Sequence, residues 1–164
     1  MARTWRTTLL FLLLLLSLPA LAQARTVTPR PHPPSPSEST TLRLINAVRR
    51  EHGLRELRFR RDLFRAARWH SRDMATHGYF AHGRALARFL TFGGAGLTLF
   101  GENIAWGSGD QETPESAVAR WMASPPHRAN ILDRNWRFIG VGSRLAHGYQ
   151  GTTLARVYTV DFGA

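Results

Sequence analysis

The sequence predicts an α+β domain in which several helices pack against a sheet. Segments between residues 39 and 123 carry apolar side chains at helical spacing, and two strand-like segments follow at 136–145 and 154–162. A chain of 164 residues with an apolar content of 43% has enough material for one buried core. The absence of cysteine excludes a disulfide scaffold, a thiol nucleophile and a zinc ribbon.

Residues 1–24 have the organisation of a secretory signal peptide. Arg3 and Arg6 give a positive amino-terminal region, an apolar run from Leu9 to Leu18 follows, and small residues lead up to Ala24. A transmembrane anchor is the alternative, but the run is shorter than the ~20 residues that a span requires. We therefore predict cleavage after Ala24, secretion, and no transmembrane segment in the mature chain. Whether that chain is extracellular, periplasmic or wall-associated is left open.

The net charge is strongly positive. It amounts to +11, all 22 basic residues are arginines, and removal of the signal peptide lowers the charge to +9. A nucleotide-composition bias towards arginine is one explanation, and attraction to a polyanion such as an envelope polymer or lipid headgroups is the other. The arginines are spread along the chain without a nucleic-acid motif. We expect a weak, salt-sensitive preference for anionic surfaces and no specific nucleic-acid binding.

A proline-rich segment precedes the predicted domain. Residues 25–37 contain five prolines and almost no large apolar side chain, which predicts an extended linker. The folded domain is expected at 38–164. Its first helix is predicted over 39–52, because the apolar residues there share one face and Gly53 suits the position after a helix end.

A second helix is predicted to start at the N-cap Asp62 and to end at His77-Gly78. Its inward stripe follows the spacing i, i+4, i+7 and i+11, through Leu63, Ala67, His70 and Met74. Because His70 lies on that stripe, we expect a core histidine there. A short helix over 84–90 and a glycine-rich loop over 93–96 are predicted next.

The carboxy-terminal third is predicted to form one helix and a hairpin. Thr113 suits the N-cap position and is followed by proline, while the Ser-Pro-Pro run at 124–126 is expected to end the helix. Turn-forming residues at 147–151 join the two strand-like segments, which predicts an antiparallel hairpin.

Polar side chains stand out at four places, namely His82, Glu102-Asn103, His127-Arg128 and Asp161. A histidine and a glutamate on either side of a glycine-rich loop can meet, where they would bind a divalent ion or form a carboxylate-oriented imidazole. Alternatively, Glu102 caps backbone N–H groups in a loop and His82 is a surface residue. Spacing alone favours this structural interpretation. No HExxH, GxSxG or P-loop motif is present.

Five motifs in order carry a family resemblance. The chain resembles the CAP superfamily (cysteine-rich secretory proteins, antigen 5 and pathogenesis-related 1; the SCP domain), and within it the cysteine-free bacterial YkwD-like branch. The match covers 38–164, and its motifs are His70–Ala75, Tyr79–His82, Gly101–Ala105, Trp121–Leu132 and Ile139–Gly142.

The resemblance implies an α-β-α sandwich with a central antiparallel sheet and an open cleft, where many members bind zinc through two histidines and two glutamates. His82 matches the first histidine and Glu102 the first glutamate. The other two places depart from the pattern, because Met122-Ala123-Ser124 and 157–160 stand there. Two ligands rarely hold zinc tightly, and His127 is a candidate third. Alternatively, His127 and its neighbour lock the Ser-Pro-Pro-His turn through backbone carbonyls, which we favour.

Three functions follow as hypotheses. The first is a secreted, non-catalytic binding module whose cleft around His82 and Glu102 holds a small ligand, a lipid or an anionic envelope fragment. The second is a metal-assisted hydrolase of peptides or esters that uses the same two residues, with zinc or another divalent cation as cofactor. The third is a protein-interaction scaffold, motivated by the apolar side chains of 91–100. We favour the first, and we expect a monomer.

Overall fold

The computed structural model describes residues 33–92 and 96–164, and the predicted signal peptide and most of the predicted linker lie outside them. The helices are α1 (Pro36–Glu51), α2 (Arg61–His77), α3 (Ala85–Thr91), α4 (Pro114–Ala123) and α5 (Pro125–Leu132). The strands are β1 (Arg58–Phe59), β2 (Phe100–Ser108), β3 (Phe138–His147) and β4 (Leu154–Gly163). None of the helices in the described part is long and apolar enough to cross a membrane.

The four strands form one sheet in the order β1-β3-β4-β2. β4 pairs antiparallel with both β3 and β2, so the predicted hairpin and antiparallel sheet are confirmed for the long strands. The two-residue β1 adds a short parallel pair with β3. Because β2 pairs with β4 alone, its other side is an edge of the sheet in the described part of the chain.

Helices cover both faces of the sheet. One face packs its apolar residues against α1, α4 and α5, through a core that includes Ile45, Trp121 and Ile131. The other face packs against α2 and α3, with Met74 and Phe89 in two smaller clusters. The predicted α-β-α sandwich is therefore confirmed.

Two glycines of β3 allow α2 to lie directly on the sheet. A Cβ atom added at Gly140 would stand 2.1 Å from the backbone carbon of Leu63, and one added at Gly142 would stand 2.3 Å from that of Ala67. Backbone atoms cannot move aside as a flexible side chain can, so only glycine fits at these two positions. This contact explains the Ile-Gly-Val-Gly motif.

Some helix ends confirm the predictions and others correct them. α1 begins at Pro36 instead of Ser39, because Ser35 and Glu38 form a reciprocal capping box that draws the last linker residues into the helix. Asp62 is not an N-cap: it lies in the first turn of α2 and bonds the Arg60 guanidinium. Thr113 does cap α4, its hydroxyl accepting from the backbone N–H of Ser116.

Besides the two-residue β1, two longer elements were missed. β2 includes the Glu102-Asn103 pair, for which a loop was expected. The strand was not recognised because glycines lie on either side of its short apolar run. α5 starts at Pro125, where a turn was expected: proline lacks the N–H that a first helical turn leaves unpaired anyway. In the segment after α3, Phe92, Leu97 and Phe100 pack against the core, and Leu99 stays exposed.

Candidate functional site

Glu102 lies on β2 directly opposite Asp161 of β4 in the sheet register. Both side chains project towards the α2 and α3 side, and both are buried: the Glu102 side chain is 4% exposed and Asp161 is fully buried. Two carboxyl groups therefore meet inside the protein. Such a pair requires nearby cations or a bound proton, because burial without compensation strongly disfavours the charged form.

The carboxylate of Glu102 has a partner on each oxygen. Nδ1 of His82 donates to Oε1 at 2.9 Å, so the structure brings the two predicted residues together. Nη2 of Arg88 donates to Oε2. Glu102 is thus a fixed, charged anchor between an exposed histidine and a buried arginine.

His82 presents its free ring edge to solvent. Its side chain is 56% exposed, and with Nδ1 engaged by Glu102 its Nε2 has no hydrogen-bond partner among residues 33–92 and 96–164. A carboxylate at one ring nitrogen fixes the tautomer and orientation of the imidazole. Nε2 is therefore positioned to contact a ligand.

Arg88 is the residue of this site that the sequence analysis missed. It lies on α3 with a side chain only 5% exposed, and Nη2 also comes within 3.6 Å of Asp161 Oδ1. Arginine suits such a position because its planar guanidinium offers several donors to carboxylates. In the sequence, Arg88 is one of many arginines and has no distinguishing spacing.

Asp161 is more weakly compensated than Glu102. Neither of its oxygens has a hydrogen-bond partner in the described structure. Burial raises the pKa of Asp161 well above its usual value, and the Glu102 carboxylate raises it further while Arg88 lowers it. The arrangement therefore disfavours the charged form of Asp161.

His70 of α2 is buried beside this cluster, as the sequence predicted, with 1% of its side chain exposed. Nε2 donates to the carbonyl of Ala81 at 3.0 Å, which ties α2 to the loop that carries His82. Burial, reinforced by the charge of Arg88, lowers the pKa of His70 to about 4. His70 is neutral at pH 7, and its role is to position the loop.

His127 lies in the first turn of α5, where its Nδ1 contacts Oγ of Ser124 at 2.8 Å. The turn is held through the backbone oxygen of His127, which accepts from Asn103 Nδ2, and not by bonds from the side chains of His127 and Arg128 to carbonyls as we expected. Nη2 of Arg128 instead contacts Nε2 of His52 at 3.3 Å. Asn130 completes the link by donating to Asn103 Oδ1 and to the carbonyl of Glu102. Burial lowers the pKa of His127, and the nearby His82 lowers it further.

The donor set does not fit a tightly held divalent ion. Both oxygens of Glu102 are engaged, one of them by the cation Arg88, and Nδ1 of His82 faces the same carboxylate. Within the described ranges no three His, Asp or Glu side chains are placed to hold a metal ion together. The predicted set of His82, Glu102 and His127 is therefore not assembled as a metal centre, because the arginine already supplies the positive charge at the carboxylate.

Comparison with known proteins places this arrangement in a family. The chain is 42% identical over 104 residues to the uncharacterized protein YkwD of Bacillus subtilis (strain 168), covering 60% of this chain and 39% of that protein. It is 34% identical over 105 residues to the uncharacterized membrane protein YlbC of the same organism, covering 62% of this chain and 30% of that protein.

A solved structure gives the same result. An extracellular protein containing an SCP domain from Bacillus anthracis str. Ames superimposes with a TM-score of 0.63 at 27% identity, covering 81% of this chain and 45% of that one. The chain thus spans less than half the length of these relatives. The family model for the cysteine-rich secretory protein family (CAP) matches residues 42–162. This protein therefore belongs to the cysteine-rich secretory protein (CAP) family, in its bacterial YkwD-like branch.

Proposed function

We propose that this protein is exported and acts as a non-catalytic binding module whose cleft at His82 and Glu102 holds a fragment of the cell envelope. One observation carries the proposal. The buried Glu102 has Arg88 on one oxygen and His82 on the other, so its charge serves to orient an exposed imidazole edge. Export is supported by the signal-peptide pattern and by the B. anthracis relative, which is described as extracellular.

A binding role agrees with the lack of an activated nucleophile. Ser71 is fully buried, donates to the carbonyl of Gly142 and accepts from the hydroxyl of Thr159, so it cannot reach a substrate. Ser124 contacts His127 but is at the junction of two helices, and among the described residues no carboxylate or carbonyl orients that imidazole. Nucleophilic catalysis normally requires nucleophile, base and orienting group together.

The proposal is tested by cosedimentation of the purified protein with bacterial cell-wall fragments that retain their anionic polymer. We expect retention at low salt, with His82→Ala weakening it by at least about fivefold, the effect of one lost polar contact to a charged group. His147→Ala removes an exposed histidine of β3 and is the matched control. Equal retention of wild type and His82→Ala would show that the overall positive charge alone explains the binding. No retention would contradict the proposal altogether.

A hydrolase is the second candidate, because a histidine oriented by a buried carboxylate is the pair that general-base catalysis uses. In this case His82 would take a proton from water at its Nε2 while Glu102 stabilised the resulting charge. The assay is turnover of peptide and ester substrates by wild type, His82→Ala and His147→Ala. Activity lost only in His82→Ala would favour the hydrolase, and activity that survives this change would eliminate it.

A further inference from the structure

A concave site lies between α2 and α3, and neither His82 nor Glu102 lines it. It is a cavity of about 360 Å³. This volume lies in the range of ~300–1,000 Å³ that is usual for small-molecule pockets. The site differs from the proposed envelope-binding cleft, although Arg88 borders both.

The walls of this cavity are apolar and partly aromatic. Trp69, Ala87 and Phe92 form them, and Trp69 is 47% exposed. The rings of Trp69 and Phe92 have centroids 6.4 Å apart and are inclined by 51°, so they do not cover each other by stacking. An exposed tryptophan in a concave apolar wall favours a flat apolar ligand.

Two buried polar side chains on the cavity lining have unused hydrogen-bonding capacity. Nε of Arg88 and Nδ1 of His70 have no partner in the described structure, and both side chains are more than nine-tenths buried. Since Nε2 of His70 donates to Ala81, its Nδ1 is an acceptor. Buried polar groups of this kind are normally satisfied, so a partner is expected at this lining.

The charged side chains of the lining differ in the partners that they already have. Asp73 is bonded by Tyr79 and His77, and Arg88 is paired with Glu102. Arg84 is exposed, and its guanidinium has no ion pair or hydrogen bond within residues 33–92 and 96–164. Arg84 is therefore the charged side chain of this lining whose hydrogen-bonding groups are free for a ligand, and it lies next to an aromatic wall.

We propose that this cavity binds a small organic anion with a flat apolar body, whose ring contacts Trp69 and Phe92 and whose carboxylate or sulfonate pairs with Arg84. This inference is independent of the envelope-binding role, because its residues are Arg84, Ala87 and the two aromatic rings rather than His82. Arginine is suited to the anionic end since its fork of donors matches the two oxygens of such a group.

The test uses two fluorescent probes of nearly the same shape. One is 8-anilino-1-naphthalenesulfonate, a flat aromatic anion, and the other is its uncharged relative N-phenyl-1-naphthylamine. We expect the anion to bind with one site per chain. Arg84→Gln should weaken the anion about fivefold, as expected for one partly exposed ion pair, and should change the affinity of the neutral probe less than twofold.

Filling the cavity with a large side chain should abolish the binding of both probes. Ala87→Trp and Thr91→Trp place a large ring in the cavity from exposed positions of α3, so a folding failure of one leaves the other as the test. Arg72→Gln removes an exposed arginine of α2 that does not line the cavity, and Ser39→Trp fills a separate groove beside α1. Both controls should bind like wild type.

The outcomes are distinct. Loss of both probes in the filled variants, with selective loss of the anion in Arg84→Gln, supports the site. Equal weakening in Arg72→Gln and Arg84→Gln would show that net charge alone attracts the anion, and would overturn the proposal. Unchanged binding in both filled variants, loss in Ser39→Trp, or no binding by wild type would overturn it as well.

Discussion

Two buried arginines of this protein have opposite kinds of partner. Arg49, at the end of α1, is fully buried and donates to the backbone carbonyls of Arg55, Ile131 and Asp133. Arg88 of α3 meets the side chains of two carboxyl groups instead. Arg49 ties the end of α1 to the end of α5, whereas Arg88 holds charge beneath an exposed histidine.

The comparison shows where this fold concentrates its buried polar atoms that lack a hydrogen-bond partner. The described structure has six buried side-chain nitrogen or oxygen atoms without a hydrogen-bond partner, and four of them belong to His70, Arg88 and Asp161. Arg49 contributes one of the other two through its Nη2, so each arginine has one unsatisfied nitrogen; the difference is that the atoms of His70, Arg88 and Asp161 are grouped around the Glu102 carboxylate. The environment of Arg88 therefore suits the ligand site that we propose, while Arg49 connects the ends of two helices.

The largest effect is expected at Arg49. Replacement by Met removes three charge-assisted bonds to carbonyls that stay buried, so we expect a loss of about 5 kcal/mol in the free energy of unfolding. Urea denaturation measures it. Arg50→Met, which removes an exposed neighbour paired with Glu56, is the control and should cost less than about 0.5 kcal/mol. A loss below about 1 kcal/mol for Arg49→Met would contradict the structural clamp.

The next largest loss of stability is expected for Arg88→Met. It leaves the buried Glu102 carboxylate without its cation, which should cost about 4 kcal/mol at pH 7. Glu102→Gln removes that charge, so the double variant should recover at least about 2 kcal/mol in a double-mutant cycle. Equal costs of Glu102→Gln in the wild-type and Arg88→Met backgrounds would show that the ion pair does not stabilise the fold.

Acid should destabilise the protein through His70. Its folded pKa of about 4 lies below the usual 6.5, so the unfolded chain binds more protons between these values. The contribution of His70 is therefore fully present above pH 6.5 and is lost as pH falls towards 4, by about 3 kcal/mol in all. Asp161 acts in the opposite direction, because its raised pKa makes protonation favour the folded state.

Unfolding free energies measured between pH 7 and pH 4 test this prediction. In His70→Gln the amide can still donate to Ala81 but cannot titrate, so the fall in stability over that interval should be smaller than in wild type. His147→Gln, at an exposed position, should keep the wild-type slope. An unchanged slope in His70→Gln would show that another group is responsible.

The smallest effect is expected at Asp161. Since burial raises its pKa, a neutral Asn of the same shape should change stability by less than about 1 kcal/mol at pH 7. The stability of wild type should fall as pH rises through the folded pKa of Asp161, and Asp161→Asn should not show that fall. Thermal melts across pH measure both. A loss of more than about 2 kcal/mol at pH 7 would mean that an ionised Asp161 supports Arg88.

Parts of the site could be predicted from the sequence because they depend on local pattern. His70 was placed in the core because helical periodicity puts it on an apolar stripe. His82 and Glu102 were paired by the family resemblance, and the structure joins them by a hydrogen bond. Arg88 could not be found in this way, because its burial depends on how α3 is placed over β2, and no local spacing encodes that contact.

By itself, the sequence determined the class of the fold, the antiparallel hairpin, the cap of α4 and the membership of the family. These depend on residues close together in the chain, where periodicity and backbone chemistry act directly. The tertiary structure alone decided that α5 begins at Pro125, that Glu102 lies opposite Asp161, and that the buried Arg88 pairs with Glu102. The physical reason is burial: the charge of a carboxyl group depends on which distant side chains surround it.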